Sequence, residues 1–185
     1  MKILGIDTST KTLSIALNED RKTITEKSLL LDRRHSSLMI PYIKAMLEKN
    51  GFSIETVDAV VVGLGPGSFT GLRIGVSVVK GFGLALKKPC IGIASIDALA
   101  MNVDKDATIV PIIDAKRENL YSAIYKKKKG RLVKKTPPLL LGVPRLMKKI
   151  KGPAIFLGDG ITLYRDKIQD LNKDAIFLDE ESAKL

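Results

Sequence analysis

The sequence predicts a mixed α/β protein whose architecture is built twice. The segment Ile6-Asp7-Thr8-Ser9-Thr10-Lys11-Thr12-Leu13-Ser14-Ile15-Ala16-Leu17 returns in outline as Ile113-Asp114-Ala115-Lys116-Arg117-Glu118-Asn119-Leu120-Tyr121-Ser122-Ala123-Ile124, with Asp114 standing 107 positions after Asp7. An apolar residue stands six places beyond each aspartate. Strand-like runs and helical spacing also alternate in both halves instead of segregating. In each half, moreover, a strongly apolar run ends in a glycine turn, Gly65 to Gly71 in the first and Gly158-Asp159-Gly160 in the second. A duplicated fold of this kind places a ligand cleft between its halves. The expected halves are residues 1–104 and 105–185.

The elements come in order. Lys2 to Asp7 reads as a buried strand, and Leu13 to Asn18 and Thr23 to Leu30 complete an antiparallel meander across the polar turn Glu19-Asp20-Arg21-Lys22. From Ser36 to Lys49 the apolar residues come in pairs one turn apart, Leu38/Met39, Tyr42/Ile43 and Met46/Leu47, which is helical spacing; Asn50-Gly51 supplies the stop, and Pro41 predicts a kink or a late start. Val57 to Leu64 is apolar on both faces, as a central strand is. A helix over Leu72 to Leu86 succeeds the glycine turn and ends at Lys88-Pro89. Cys90 to Ile93 is a short strand and Ser95 to Val103 a helix. The polar stretch 102–107 is the expected boundary. The second half opens with a strand over Thr108 to Asp114, repeats the meander through Tyr125 and Leu132 to Thr136, and adds a helix near Pro144 to Lys151. Strands at Ala154 to Leu157 and Ile176 to Leu178 complete it.

With 185 residues, 45% hydrophobic and 28% charged, the chain has the composition of an ordinary globular protein. The run from Ile74 to Leu86 is broken by Lys80 and by glycines and falls short of the roughly 20 residues of a membrane span, so no transmembrane helix and no membrane partner are expected. The opening residues form a strand pattern closed by an acid, unlike a secretory signal. The single cysteine, Cys90, excludes an intramolecular disulfide and suits a reducing compartment. A cytoplasmic protein is expected. The formal charge of +11 would attract a polyanion such as RNA, yet the basic residues are scattered, and the densest run, Lys126-Lys127-Lys128-Lys129-Gly130-Arg131, reads as a hairpin turn.

Two places carry candidate chemistry. In Asp7-Thr8-Ser9-Thr10, a carboxylate at a strand end, with hydroxyls and turn N–H groups after it, can hold a magnesium-bound phosphate. The same tetrapeptide also reads as a β-turn whose side chains bond their own backbone. Its echo at Asp114 lacks the hydroxyls. The second place is Gly63-Leu64-Gly65-Pro66-Gly67-Ser68-Phe69-Thr70-Gly71-Leu72-Arg73-Ile74-Gly75, where glycines after a buried strand free the backbone and a helix N-terminus faces an anion. It is neither a P-loop nor a dinucleotide fingerprint. Gly65, Gly67, Ser68, Thr70 and Arg73 are the candidate anion contacts, while Gly75, Gly81 and Gly83 read as places where the helix lies close to another element.

The stretches "ILGIDTST", "GLGPGSFTGLRIG", "KPCIGIASIDALA" and "IIDAKRENLYSAIY" together resemble the TsaB (YeaZ) family of tRNA threonylcarbamoyladenosine biosynthesis proteins. The resemblance covers residues 1 to 125 by motif and the rest more loosely. It implies the actin/Hsp70-like (ASKHA) fold, two ribonuclease-H-like halves of which the second is shortened, since family members continue past Leu185. It implies a non-catalytic subunit that activates a TsaD-type transferase, works with a TsaE-like ATPase, and supports threonylcarbamoyl transfer to adenosine 37 of tRNAs reading codons that begin with A. Transferases of the TsaD type carry a paired-histidine metal motif, which aligns here with Ser95 and Leu99, so no catalytic residue and no such metal site are expected. No cofactor is required; Asp7, Thr8, Ser9, Thr10 and Asp114 are compatible with vestigial, weak contact to ATP or ADP with magnesium. The family contact uses two helices, here Ser36 to Lys49 and Leu72 to Leu86, which nominates His35, Leu38, Met39, Tyr42, Ile43, Met46, Gly71, Gly75, Val78 and Phe82 as partner interface. The paired apolar residues of the first helix form a stripe wider than one core face needs; packing of both helices within their own half is the plain alternative. Without the transferase, the same helices could form a homodimer, and tRNA would be met through the complex. The competing function is an ATPase or sugar-kinase-like enzyme of the same superfold.

Overall fold

The computed structural model describes residues 1–30 and 35–178, and of the helix opening at His35 the side chains from residue 38 onward. The chain divides into two compact units, Met1–Ser95 and Ile96–Leu185.

In the first unit, β1 (Lys2–Asp7) and β2 (Thr12–Glu19) bury every second residue, Leu4 and Ile6 in one and Leu13, Ile15 and Leu17 in the other. Period two thereby fixes both the core face and the register, with Asp7 opposite Ser14. β3 (Lys22–Leu30) extends the meander at one edge, β4 (Ala59–Gly63) lies parallel beside β1, and β5 (Cys90–Ile93) closes the other edge in the order β3-β2-β1-β4-β5. The helices α1 (His35–Lys49) and α2 (Phe69–Leu86) share one core with this sheet. α1 runs through Pro41 without a break and ends where Gly51 takes a φ of 76° and Phe52 N–H returns to the Leu47 carbonyl.

The second unit repeats the plan. β6 (Thr108–Asp114) pairs antiparallel with β7 (Leu120–Ser122), which pairs with β10 (Leu139–Leu141); on its other side β6 lies parallel to β11 (Ala154–Leu157), and β11 to β12 (Ala175–Phe177). The order β10-β7-β6-β11-β12 matches the first sheet position for position. α4 (Val143–Met147) and α5 (Ile161–Leu171) occupy the places of α1 and α2 in chain order.

Three expectations are corrected. The third meander strand of the second unit is β10 and not the 132–136 segment; β8 (Tyr125–Lys128) and β9 (Arg131–Lys134) form an added ribbon against the start of β6. The division falls at Ser95/Ile96, because α3 (Ser95–Met101) is tied to the β8–β9 ribbon: Tyr125 Oη and Lys134 Nζ both donate to Asp97, and Lys127 Nζ to the Val103 carbonyl. Lastly, α2 starts at Phe69 because Ser68 caps it, and at 18 residues it is long and apolar enough to cross a membrane by length and composition alone. Among the described residues it is the one such helix, which is weak grounds for a span. Its Gly71, Gly75 and Val79 are buried in the first unit.

Burial works against the charged form of Asp97, but hydrogen bonds from Lys134 and Tyr125 outweigh it and hold the carboxyl below its ordinary range. Burial and the same carboxylate push the Tyr125 hydroxyl upward. Asp97→Ala removes the acceptor of a tyrosine that is 2% exposed and is expected to cost about 1–3 kcal/mol by denaturant titration. The depressed folded-state value means that the carboxylate's stabilisation is complete above the unfolded value near ~4 and is lost as pH falls through the folded-state value. The stability gap between the wild type and Asp97→Asn should therefore close on acidification; a gap equally wide at about pH 3 and about pH 7 refutes the ion pair's role.

Candidate functional site

Three chain segments meet at the carboxyl ends of the parallel strands β1, β4 and β5, the edge at which open α/β sheets gather ligands. They are the turn after Asp7, the glycine loop after β4, and the start of α3. Asp7 Oδ1 accepts the Ser9 N–H at 2.7 Å, and Oδ2 accepts the Ser95 hydroxyl at 2.5 Å. Ser95 Oγ in turn accepts the Gly65 N–H at 3.0 Å, while Ser95 N–H donates to the Gly65 carbonyl at 2.8 Å. Ser95 is fully buried. One hydroxyl thus ties the aspartate to the glycine loop, a role invisible in the sequence, where Ser95 stands out only as a missing histidine.

Three of the hydroxyls expected to hold phosphate, those of Thr8, Thr10 and Ser68, are engaged within the fold. Thr8 Oγ1, fully buried, donates to the Gly71 carbonyl at 2.7 Å. Thr10 Oγ1 accepts the Thr12 N–H at 3.1 Å. Ser68 Oγ caps α2 by accepting the Gly71 N–H at 3.2 Å, and Ser68 N–H donates to the Ser9 carbonyl at 2.6 Å. Ser9 Oγ is buried with no hydrogen-bond partner and lies sealed from solvent. Thr70 is exposed, and Arg73 lays its guanidinium over the Phe69 ring, 4.0 Å from the centroid.

The glycines explain the closure. Gly65 takes a φ of 82° next to a cis Pro66. A Cβ at Gly67 would collide with the Ser9 carbonyl, one at Gly71 with the Thr8 carbonyl, and one at Gly75 with the Thr8 hydroxyl. The first turns of α2 therefore press onto the Thr8–Ser9 backbone at the place where an anion would sit. Each Asp7 oxygen accepts one hydrogen bond from within the fold, and the Thr8 and Thr10 hydroxyls are engaged there too, while Ser9 Oγ is without a partner. The β-turn alternative describes the tetrapeptide. Among the described residues, no group of three or more His, Cys, Asp or Glu side chains could hold a metal. Leu99 is 1% exposed, with a branch 3.0 Å from where a Cβ on Gly158 would stand.

Asp114 ends β6 as Asp7 ends β1, but its surroundings differ. It accepts the Lys116 N–H at 2.9 Å and the Lys116 ammonium, its own N–H donates to Asp159 at 3.0 Å, and three consecutive residues, Lys116, Arg117 and Glu118, take left-handed φ values. Burial raises the Asp114 carboxyl, yet the Lys116 contacts more than offset it and leave it low; Lys116 is raised by the same pairing.

The interface residues separate into three groups. Met39, Ile43 and Met46 are at most 2% exposed inside the first core, and Gly71 and Gly75 face Thr8, so these five are withdrawn from any docking surface: the stripe is the core face of α1. Leu38, Tyr42, Val78 and Phe82 are half-buried against the same core. His35 lies outside the residues whose side chains are described. The outer side of the unit goes unnoticed in the sequence. Leu64, Phe69, Leu84, Ile91 and Ile93 are exposed, Leu84 to 83%, and β5 shows all four of its residues to solvent. The available signal was the apolar composition of α2 and β5, although Thr70, Arg73, Ser77 and Lys80 give the helix one polar stripe. Gly83 fits the close-approach reading against Cys90, whereas Gly81 faces open space.

Gly71→Ala should destabilise the protein by about 1–3 kcal/mol through overpacking, while Gly81→Ala should gain up to about 1 kcal/mol from helix propensity. Denaturant midpoints of the two variants decide it, and equal tolerance would show that α2 is not pressed onto the Thr8–Ser9 turn.

The family model described as TsaD, tRNA N6-adenosine threonylcarbamoyltransferase, matches residues 29–183. The tRNA threonylcarbamoyladenosine biosynthesis protein TsaB of Bacillus subtilis (strain 168) is 34% identical over 175 residues, covering 92% of this chain and 76% of the relative. TsaB of Escherichia coli (strain K12) is 35% identical over 130 residues, 69% of this chain and 56% of the relative. The structure of YeaZ from Pseudomonas aeruginosa superimposes with a TM-score of 0.79 at 26% identity, over 90% of this chain and 79% of the other. The duplicated sheet order is thus that of the actin/Hsp70-like (ASKHA) fold, and the chain belongs to the TsaB (YeaZ) family.

Proposed function

We propose that this chain takes part in the biosynthesis of N6-threonylcarbamoyladenosine in tRNA as a non-catalytic subunit that binds and activates a TsaD-type transferase. The names of its relatives support the pathway. The observation that carries the subunit role is the exposed apolar side of the first unit. On the long apolar helix α2, Phe69 and Leu84 are exposed, and the neighbouring edge strand β5 adds Ile91 and Ile93. Exposed apolar surface of this extent on a globular unit calls for a partner. Leu64, Phe69, Leu84, Ile91 and Ile93, with the half-exposed Leu38, Tyr42, Val78 and Phe82 beside them, form the proposed docking side, and a second copy of this chain would take it when the transferase is absent. A TsaE-like ATPase completes the proposed system at adenosine 37 of tRNAs reading codons that begin with A, in the cytoplasm.

The Asp7 turn supports the non-catalytic reading, because the Asp7 carboxylate and the Thr8 hydroxyl are engaged within the fold. The competing enzyme reading requires nucleotide binding: ATP with magnesium, bound in calorimetry and lost in Asp7→Ala, would favour it. For the subunit reading, Leu84→Asp combined with Ile91→Asp should weaken association with a TsaD-type transferase at least tenfold, about 1.4 kcal/mol, and lower the yield of modified adenosine in a reconstituted mixture. Leu163→Asp, likewise exposed but in the second unit, should leave both unchanged. Undiminished association of the double variant, or full modification without this chain, overturns the proposal.

A further inference from the structure

The second unit carries a basic groove that the docking side does not use. It encloses about 500 Å³ and is lined by Lys126, Lys135, Lys149 and Lys151 around an apolar floor that includes Ile124 and Ile150. No carboxylate is among the described residues that line it. The lysines come from three places in the chain. Lys126 lies on β8. Lys135 comes directly after β9, its N–H donating to the Ile124 carbonyl at 2.7 Å, and Thr136 Oγ1 accepts the Ile124 N–H at 3.0 Å. Lys149 and Lys151 lie in the turn after α4, where Lys149 N–H and Ile150 N–H return to the Leu146 and Met147 carbonyls.

Strand alternation separates neutralised from free charge. Lys127 and Lys134, the chain neighbours of Lys126 and Lys135, are ion-paired with Asp104 and Asp97. The four groove lysines take part in none of the described ion pairs and are exposed. A small anion would be met by buried, converging donors. Four exposed, flexible ammonium groups, each a point charge, suit a ligand that repeats its negative charge along its length. The ring of Tyr125 is buried and its hydroxyl committed to Asp97, so no base-stacking platform is offered. Contact through the backbone charge alone remains.

We infer that this groove binds the phosphodiester backbone of RNA without reading its sequence, so that the chain contributes its own contact to the nucleic acid. The choice of RNA over another polyanion rests on the proposed tRNA-modifying role; the groove itself does not. The test uses the isolated full chain and an unmodified tRNA transcript, with affinity measured by fluorescence anisotropy across a salt series. Each phosphate neutralised adds roughly 0.7–0.9 to the slope of log affinity against log salt. Replacing Lys126, Lys135, Lys149 and Lys151 together by Gln should make that slope shallower by about three and weaken binding at low salt at least tenfold. An equal change in net charge elsewhere, Lys22, Lys27, Lys44 and Lys49 to Gln on the first unit, should leave the slope within one of the wild type. Circular dichroism melting checks that both variants fold, and Lys149→Gln with Lys151→Gln alone, expected to take about half the effect, serves if the quadruple variant does not. Equal slopes for the groove and control variants overturn the inference, as does groove-dependent binding to phosphatidylserine vesicles with none to tRNA. Groove-dependent tRNA binding by a chain that fails to associate with a TsaD-type transferase would remove the proposed function and leave this inference standing.

Discussion

The bond from the Ser95 hydroxyl to Asp7, relayed to the Gly65 amide, is the contact on which the first unit's functional edge depends. A carboxylate at the end of a parallel strand is costly to enclose unless its oxygens are met by donors. Here the donors are a turn amide and a serine brought in from beyond β5. Once the aspartate is held, the Thr8–Ser9 backbone is set in place, and the glycines of α2 can close on it. Aspartate, turn and helix thereby form one packed joint. The same joint fixes the direction in which α2 leaves the sheet, and with it the solvent side of that helix.

The two units show how far one topology can drift. Both sheets place two antiparallel strands and two parallel neighbours around a central strand ending in aspartate. In the first copy, small residues and hydroxyls fill the space beyond that aspartate. In the second, a lysine two residues on folds back over it, and the turn adopts a left-handed run that costs energy without glycine. The added β8–β9 ribbon, together with Lys135 and the turn after α4, gives the second copy a surface with no counterpart in the first.

Much of this is legible in the residues. The Asp7 and Asp114 repeat discloses the duplication, and period-two alternation locates β1 and β2. Helical pairing locates α1 but overstates its free surface: Met39, Ile43 and Met46 lie in the core that α1 and α2 share with the sheet. Periodicity reveals that a face is apolar, not which neighbour covers it. The third strand of the second meander is ambiguous in sequence because Leu132 to Thr136 and Leu139 to Leu141 are both plausible short strands, and only tertiary pairing chooses between them. Ser95 could not be anticipated, since its partner lies 88 residues earlier in the chain. The lysine groove is hidden for the same reason: its members are ordinary surface cations until the turn after α4 comes to lie beside β8.

β5 has a consequence for what the first sheet can meet. It is a terminal strand with no residue buried, so one row of its peptide groups faces outward. An uncovered ladder of that sort is a template for any extended chain that drifts past. A neighbour that covered this edge would satisfy those peptide groups and bury Ile91 and Ile93 with them.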